Sequence, residues 1–254
     1  MLILLPPSEG KTAPEAGPPL DLASLSFDEE LGAKRDRLIT GLEKLATQNV
    51  KTAIKSLGIS TGLAGEIAKN ADIRSAPTAP AIEIYTGVLY DRLDFGSISA
   101  AGRKRANENL LIASGLWGWL RPTDRIPYYR MPMKARIGRL GNLAGFWRPA
   151  LDKAMAASGH DQPGEIFLDM RSGSYSTAWR PKQAHLLSVR GFTESGGGRK
   201  AISHMAKSIR GDVTRIALSE KALPESPEAI ASAVEAAGHR VELTDSTLDV
   251  IESA

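Results

Sequence analysis

The sequence predicts a single α/β (α+β) domain over residues 1–254, in which helices surround a mixed β-sheet and include a helix-hairpin-helix-like element. Short apolar runs typical of buried strands recur between segments whose apolar residues have helical spacing. No internal repeat occurs, and no linker is long enough to separate two domains. The 254 residues, 42% of them hydrophobic, suffice for one substantial core. Strands and helices alternate irregularly, so we do not predict a regular doubly wound sheet.

The first half of the chain predicts two strands separated by helices. Residues 1–5 are continuously apolar and are followed by Pro6 and Pro7, which indicates a short buried strand. Residues 12–20, rich in proline, glycine and alanine, predict an irregular loop. The predicted helices are residues 26–46, two short helices within 49–70 that are separated near Gly58, and residues 99–109. Residues 110–114 predict the second strand.

The second half predicts three strands and three helices. A helix over residues 143–158 ends where Gly159 provides a stop signal. Strands are predicted at residues 165–169 and 184–192, and a helix at 199–221 with Gly211 as a candidate interruption. A helix over residues 227–237 and a short final strand at 240–244 complete the chain.

Residues 114–133 are apolar enough to be buried but carry Arg121, Asp124, Arg125 and Arg130. Buried charges are costly unless they are paired or face a ligand. Two alternatives therefore stay open, a structural Arg–Asp network or a functional cleft supported by Arg121 and Asp124.

Aromatic residues accompany these charges. We assign Trp117 and Trp119 to the core. Tyr85 and Tyr129 are the better candidates for a hydrated surface, where they would stack on bases.

The net charge of +3 conceals an asymmetry along the chain. Residues 121–215 contain 17 lysines and arginines against 7 acidic residues, whereas residues 216–254 contain 2 against 8. A basic middle favours an anionic ligand, of which nucleic acid is the commonest large example. The alternative is that the acidic tail neutralises basic neighbours in the fold.

Several classes of function are disfavoured by composition. The chain has no cysteine, so thiol chemistry and cysteine-based metal sites are excluded. The four histidines are scattered without metal-ligand spacing, and we predict neither a metal site nor a cofactor. No apolar run reaches the length of a membrane helix, and no signal peptide is recognisable. We expect a cytoplasmic monomer without membrane association.

The Gly10-Lys11-Thr12 sequence follows the first predicted strand, as in a phosphate-binding loop. That loop requires a glycine where Leu5 stands and a helix directly after it, which the following prolines prevent. We reject the phosphate-loop interpretation. Lys11 at the end of a strand is still a candidate anion contact, and Ser8 is a candidate to share its site.

The segment around Gly58 and Ser60 resembles a helix-hairpin-helix, which holds the DNA backbone through turn amides without reading bases. We predict Ser60 as the N-cap of the second helix. An ordinary turn between two helices is the alternative.

Further candidate anion contacts lie downstream. Lys207 and Arg210 are three residues apart and share a helix face. Glycines 196–198 ahead of Arg199 are either an anion cradle or a surface loop. The remaining candidates are Arg130, Lys134 and Lys182.

Four spaced motifs resemble the bacterial YaaA peroxide-stress family. They are residues 1–12, Tyr85-Thr86-Gly87, residues 114–133 and residues 207–211, and the resemblance runs to about residue 215. It implies a single α/β domain with a positively charged cleft and a helix-hairpin-helix, DNA binding, and protection against peroxide. The chain departs from the family pattern at Trp117, at Met131-Pro132-Met133 and at Asp169, near which Ser174 and Tyr175 offer hydroxyl groups.

Two functional hypotheses follow. The first is a DNA-binding protein whose cleft neutralises phosphates of a duplex or junction without reading sequence. The second is an enzyme acting on a small phosphorylated or nucleotide-like molecule, with Ser8, Lys11, Tyr85, Asp124 and Arg130 converging on it.

Overall fold

The computed structural model describes residues 1–195, 198–200 and 203–253. The strands in this part are β1 (Leu2–Leu5), β2 (Thr78–Pro80), β3 (Leu110–Ser114), β4 (Gly118–Leu120), β5 (Arg125–Pro127), β6 (Ile166–Asp169), β7 (His185–Ser195), β8 (Gly198–Lys200), β9 (Arg240–Leu243) and β10 (Thr247–Ser253). Eight of them form one mixed sheet in the order β4-β3-β1-β6-β7-β10-β9, with β8 paired to β7. The predicted fold class, a mixed sheet surrounded by helices, is confirmed.

Helices cover the sheet. They are α1 (Asp28–Ala46), α2 (Val50–Leu57), α3 (Ala64–Ala68), α4 (Ala81–Ile84), α5 (Val88–Leu93), α6 (Ala100–Asn109), α7 (Leu143–Ala157), α8 (Gly173–Ser176), α9 (Ser203–Ser219) and α10 (Pro227–Ala236). Helix α1 packs against α7, whereas α5, α6 and α10 pack against α9. None of the helices in the described residues combines the length and hydropathy that a membrane crossing requires.

The parallel part of the sheet determines where a ligand would bind. Five neighbouring strands are parallel, in the order β3, β1, β6, β7 and β10. The chain thus places β3 on one side of β1 and the next parallel strand, β6, on the other side. This is an order of open doubly wound sheets, which the irregular spacing of helices along the chain had hidden. Ligands of such sheets bind outside the carboxyl ends of the strands where the order reverses, here between β1 and β6.

The predicted helix over residues 199–221 is wrong at its start. Arg199 and Lys200 lie in β8, which turns back antiparallel to β7, and α9 begins at Ser203. Residues 196 and 197 of the predicted glycine cradle lie outside the described residues. Helix α9 also continues through Gly211 without an interruption. A glycine stands there because a Cβ atom would collide with α5, which packs closely against this helix.

The predicted final strand is not the last one. Strand β10 follows β9 and pairs antiparallel with β9 and parallel with β7. Leu248 and Val250 are buried. Asp249 lies between them and Glu252 follows, and these acidic residues lower the local hydropathy, so the sequence pattern did not indicate a strand. The missed strands β2, β4 and β5 are only three residues long each.

Candidate functional site

Two adjoining cavities open at the carboxyl end of β1 and together form one cleft. We call the smaller one, of about 200 Å³, the hairpin cavity because the turn after α2 lines it. The larger one, of about 500 Å³, is the helix cavity because α9 lines it. Both are bordered by the loop after β1 and by Tyr175, which follows β6. The cleft therefore lies at the point of the sheet where the strand order reverses.

Eight of the predicted residues line this cleft. The hairpin cavity is lined by Ser8, Lys11, Ser60, Tyr129, Arg130 and Lys134. The helix cavity is lined by Ser8, Lys134, Lys207 and Arg210. Residues from distant parts of the chain thus meet at one surface.

The loop after β1 is held in place by hydrogen bonds. The Ser8 hydroxyl donates to the Gly10 carbonyl and accepts from the Thr86 amide at 3.0 Å. Lys11 forms a backbone bridge with Tyr85, and the Tyr90 hydroxyl donates to the Pro6 carbonyl at 2.8 Å. These contacts hold Lys11 in an extended segment, with no helix directly after it.

Lys11 is half-buried at the floor of the hairpin cavity. Its ammonium group donates to the Ser8 carbonyl at 2.7 Å and lies 4.7 Å from the centre of the Tyr129 ring. Burial, together with the positive charge of Arg130, lowers the pKa of Lys11 to about 7, which the carboxylates of Glu9 and Glu66 only partly oppose.

Tyr85 and Tyr129 are not on a hydrated surface, as we had predicted. They are only 2% and 1% exposed, respectively. Their hydroxyl groups lie 2.8 Å apart, and that of Tyr129 also lies 2.8 Å from the Ser114 hydroxyl. Burial raises the pKa of both phenols. These side chains therefore form the packed wall behind Lys11, and Tyr85 itself lines neither cavity of the cleft.

Tyr175 is half-buried and lines both cavities, and it is more exposed than Tyr129 and Tyr90, which line one cavity each. Burial raises its pKa to about 12, and its phenol is consequently protonated at neutral pH. The Ser174–Tyr175 pair was noted in the sequence only for its hydroxyl groups.

Asn70 is a site residue that sequence reasoning missed. Its fully buried amide accepts from the Arg130 backbone N–H at 2.8 Å and donates to the Arg130 carbonyl at 3.1 Å. The Arg130 guanidinium donates to the Glu9 carbonyl at 2.6 Å, and its Nε has no hydrogen-bond partner within the described residues. Arg130 is thus held by its backbone and by Glu9, and its side chain lines the hairpin cavity.

The turn after α2 borders the cleft, but its capping differs from the prediction. Gly58 ends α2 with a left-handed backbone (φ 63°), and Asn49 caps the start of this helix. Ser60 makes no side-chain capping bond, because a short 3₁₀ turn and not α3 begins directly after it. A Cβ atom at Gly58 would be 3.4 Å from Cε of Lys134, so the aliphatic part of Lys134 lies beside this turn.

Helix α9 supplies two cations to the helix cavity. Lys207 is exposed. Arg210 is half-buried and donates to the Val189 carbonyl at 3.1 Å. Burial lowers the pKa of Arg210, and the charge of Asp169 opposes this effect.

Lys182, Asp124 and Arg121 lie outside the cleft. Lys182 forms an exposed ion pair with Asp152 at 2.7 Å. Asp124 accepts from the Ser26 hydroxyl at 2.8 Å and from the Arg121 amide at 2.8 Å. The Arg121 side chain donates to backbone carbonyls at the end of α6. This half of the 114–133 segment is therefore a structural network, and Arg130 at its far end borders the cleft.

Ion pairing distinguishes the cleft cations from several other cations of the basic middle segment. Arg190 pairs with Asp249 at 2.5 Å, and Arg199 pairs with Glu242, so the acidic tail does neutralise basic neighbours. Within residues 1–195, 198–200 and 203–253, five cleft cations have no carboxylate partner at ion-pair distance, namely Lys11, Arg130, Lys134, Lys207 and Arg210. Among the described residues, the cleft therefore gathers five positive charges without an ion-pair partner.

The lowered pKa of Lys11 predicts a pH dependence of stability. Between its folded pKa of about 7 and its unfolded value of 10.5, the unfolded chain binds a proton at Lys11 that the folded chain excludes. The free energy of unfolding should therefore rise with pH in this window, by at most about 1.4 kcal/mol per pH unit. Urea unfolding of the wild type and Lys11→Met at several pH values would measure it. An identical pH dependence in both proteins would contradict the assignment.

Comparisons with known proteins agree with this architecture. The family model of the peroxide stress protein YaaA matches residues 1–243, well beyond the region of resemblance noted in the sequence. A UPF0246 protein of Streptomyces coelicolor is 41% identical over 245 residues, covering 95% of this chain and 92% of that protein. A UPF0246 protein of Corynebacterium glutamicum is 37% identical, covering 95% of each chain. An uncharacterized protein of Campylobacter jejuni is 31% identical over 83% of this chain and 82% of its own length. The chain belongs to the YaaA peroxide stress protein family.

Proposed function

We propose that this protein binds DNA through the cleft and that this binding serves the stress-related role of its family. The ligand in this proposal is the phosphate backbone of a duplex or junction, contacted without reading sequence. The observation that carries the proposal is the group of five cleft cations without carboxylate partners in the described residues.

The arrangement of these cations suits an extended polyanion. Lys134 lies beside the turn at Gly58, whereas Lys207 and Arg210 come from α9 on the side of the helix cavity. Phosphates follow one another along a strand, so a row of separated cations can contact several of them at once. In the turn itself the amides of Gly58 and Ile59 already donate to carbonyls of α2, so Lys134 beside the turn is the expected phosphate contact there. Glu9, at the edge of both cavities, is exposed and can turn away into solvent.

Fluorescence anisotropy of labelled duplex and four-way-junction DNA at increasing salt tests the proposal. Affinity should fall with salt, and Lys134→Ala and Lys207→Ala should each weaken binding and reduce the slope of log K against log [salt] by about one. Lys182→Ala is the matched control, because it removes an exposed lysine outside the cleft. Salt-independent binding, or an equal effect of all three substitutions, would contradict the proposal.

A second candidate function is an enzyme acting on a small phosphorylated or nucleotide-like molecule. It is favoured by the position of the cleft, because the point of strand reversal is the usual ligand site of open α/β sheets. Asp124 is unavailable to this chemistry because Ser26 and Arg121 occupy its oxygens, which leaves Tyr175 and Glu9 as candidate acid–base groups. Absence of DNA binding at low salt, together with thermal stabilisation by one nucleotide or sugar phosphate but not its close analogues, would select this function.

A further inference from the structure

Lys11 differs from the other cations of the cleft in its surroundings. Lys134 and Lys207 are exposed, whereas Lys11 is half-buried with its nitrogen against the Tyr129 ring. One hydrogen bond, to the Ser8 carbonyl, orients the amine, and its backbone is tied to Tyr85. In the described part of the chain no carboxylate lies at ion-pair distance from it to stabilise a positive charge. The amine of Lys11 is thus held in one orientation, whereas an exposed lysine can contact a phosphate without such contacts.

The same surroundings favour a neutral amine at Lys11, the form of lysine that can act as a nucleophile. Desolvation and a neighbouring cation are the two conditions that activate a lysine amine, and burial and Arg130 supply both. With a pKa of about 7, a large share of the side chain carries a neutral amine near neutral pH. Such an amine adds to carbonyl carbons, whereas an ordinary protonated lysine does not.

The hairpin cavity brings this amine next to the elements proposed to hold DNA. The turn at Gly58 and Ser60, the Arg130 side chain and Lys11 line the same space of about 200 Å³. Enzymes that act on a nucleotide commonly displace it from the duplex into such a cavity, and the cost is least at a damaged position. The positive charge of Arg130 at the edge of this cavity favours a neighbouring phosphate.

We propose that Lys11 forms an imine with the aldehyde of a phosphorylated sugar, and that the ring-opened deoxyribose of an abasic site in DNA is its source. This inference rests on the proposed DNA binding. An abasic site carries an aldehyde at C1′ between two backbone phosphates, so the phosphates fit the cations and the aldehyde fits the amine.

The step balances without a further reactant. The nitrogen lone pair of Lys11 attacks C1′, the carbonyl oxygen takes a proton, and the nitrogen loses one, which gives a carbinolamine. Its hydroxyl group then leaves as water after protonation, a protonated C=N bond forms, and return of the nitrogen proton to the donor gives the neutral imine. Tyr175, whose phenol is protonated and lines the same cavity, is the group available to donate that proton. Water reverses the reaction and releases the amine.

Borohydride trapping tests this inference, because it reduces an imine to a stable amine linkage. The purified full chain is incubated with a duplex containing one abasic site, or with free 2-deoxyribose 5-phosphate, and treated with sodium borohydride. We expect a covalent protein–DNA product with the adduct located on Lys11 by peptide mass spectrometry. If an adduct forms with free 2-deoxyribose 5-phosphate but not with the abasic duplex, the imine is supported and its aldehyde comes from a small molecule.

Variants separate imine formation from DNA binding. Lys11→Arg keeps the positive charge but cannot form an imine, so the ratio of trapped product to bound duplex, the latter measured by anisotropy on the same variant, should fall by about tenfold or more. Lys153→Ala, an exposed lysine of α7 that lines neither cavity, should trap like the wild type. Undiminished trapping in Lys11→Arg, or no adduct on Lys11 with either substrate, would overturn the inference. Absence of intact-duplex binding with a Lys11 adduct on free sugar phosphate would reject the DNA function alone.

Discussion

Replacing Arg35 by methionine should lower the free energy of unfolding by about 3–5 kcal/mol. Arg35 lies on α1 and is fully buried. It donates to the carbonyls of Trp117 at 2.9 Å and Trp119 at 2.8 Å, and also to that of Ser26 at 2.7 Å. Methionine fills similar space but removes the donor to the buried carbonyls of Trp117 and Trp119 and to the half-buried carbonyl of Ser26, and each buried group left unsatisfied costs about 1–3 kcal/mol. Urea unfolding monitored by tryptophan fluorescence would measure the change.

Arg37→Met provides the control for this substitution. Arg37 lies on the same helix but is exposed, so its replacement should change stability by no more than about 0.5 kcal/mol. Similar unfolding midpoints for the two variants would show that Arg35 does not hold the 114–133 segment against α1. The midpoint is interpretable only if the urea dependence of the unfolding free energy stays the same.

The second large effect is expected at Gly211. An added Cβ atom would lie 2.3 Å from the Leu89 carbonyl oxygen and 2.7 Å from Cβ of Arg92, so α9 and α5 would have to separate. Overpacking of this kind typically costs about 1–3 kcal/mol, which exceeds the gain of up to about 1 kcal/mol from replacing glycine by alanine in a helix. Gly211→Ala should therefore destabilise the protein in thermal and urea unfolding.

Gly65→Ala is the matched control for the packing argument. Gly65 also lies in a helix, α3, but a Cβ atom there would meet no atom within 4 Å. Only the conformational gain remains, so this substitution should stabilise the protein by about 0.5–1 kcal/mol. Destabilisation by both substitutions, or by neither, would be incompatible with close approach of α9 and α5 as the reason for Gly211.

The local signals of the sequence predicted many elements but not the pairing of the strands. The buried strands β1 and β3 were predicted because continuous apolar runs end at recognisable stops. Strand β10 was missed because Asp249 and Glu252 lower its hydropathy, and the pairing of Asp249 with Arg190 of β7 appears only in the fold. The same local reasoning made Gly211 a candidate interruption of the helix, since only the position of α5 shows why a glycine is needed there.

The sequence predicted the cations of the candidate site, but it did not predict all residues that surround them. The cations Lys11, Lys207 and Arg210 were identified from their places at a strand end and on one helix face, and the fold brings them to one cleft. Asn70 escaped notice because its two hydrogen bonds join it to Arg130, 60 residues further along the chain. The expected hydrated surface at Tyr129 was wrong because aromatic composition alone does not reveal burial.

The sequence by itself determined the α/β class, the apolar strands, the basic middle segment and its acidic tail, because hydropathy periodicity and charge are properties of neighbouring residues. Only the tertiary structure decided which charges cancel. The tail pairs with Arg190 and Arg199 in the sheet, while the cleft cations meet no carboxylate at ion-pair distance in the described residues. Ion pairing and desolvation depend on groups brought together from distant positions, and these contacts distinguish Lys11 from an ordinary surface lysine.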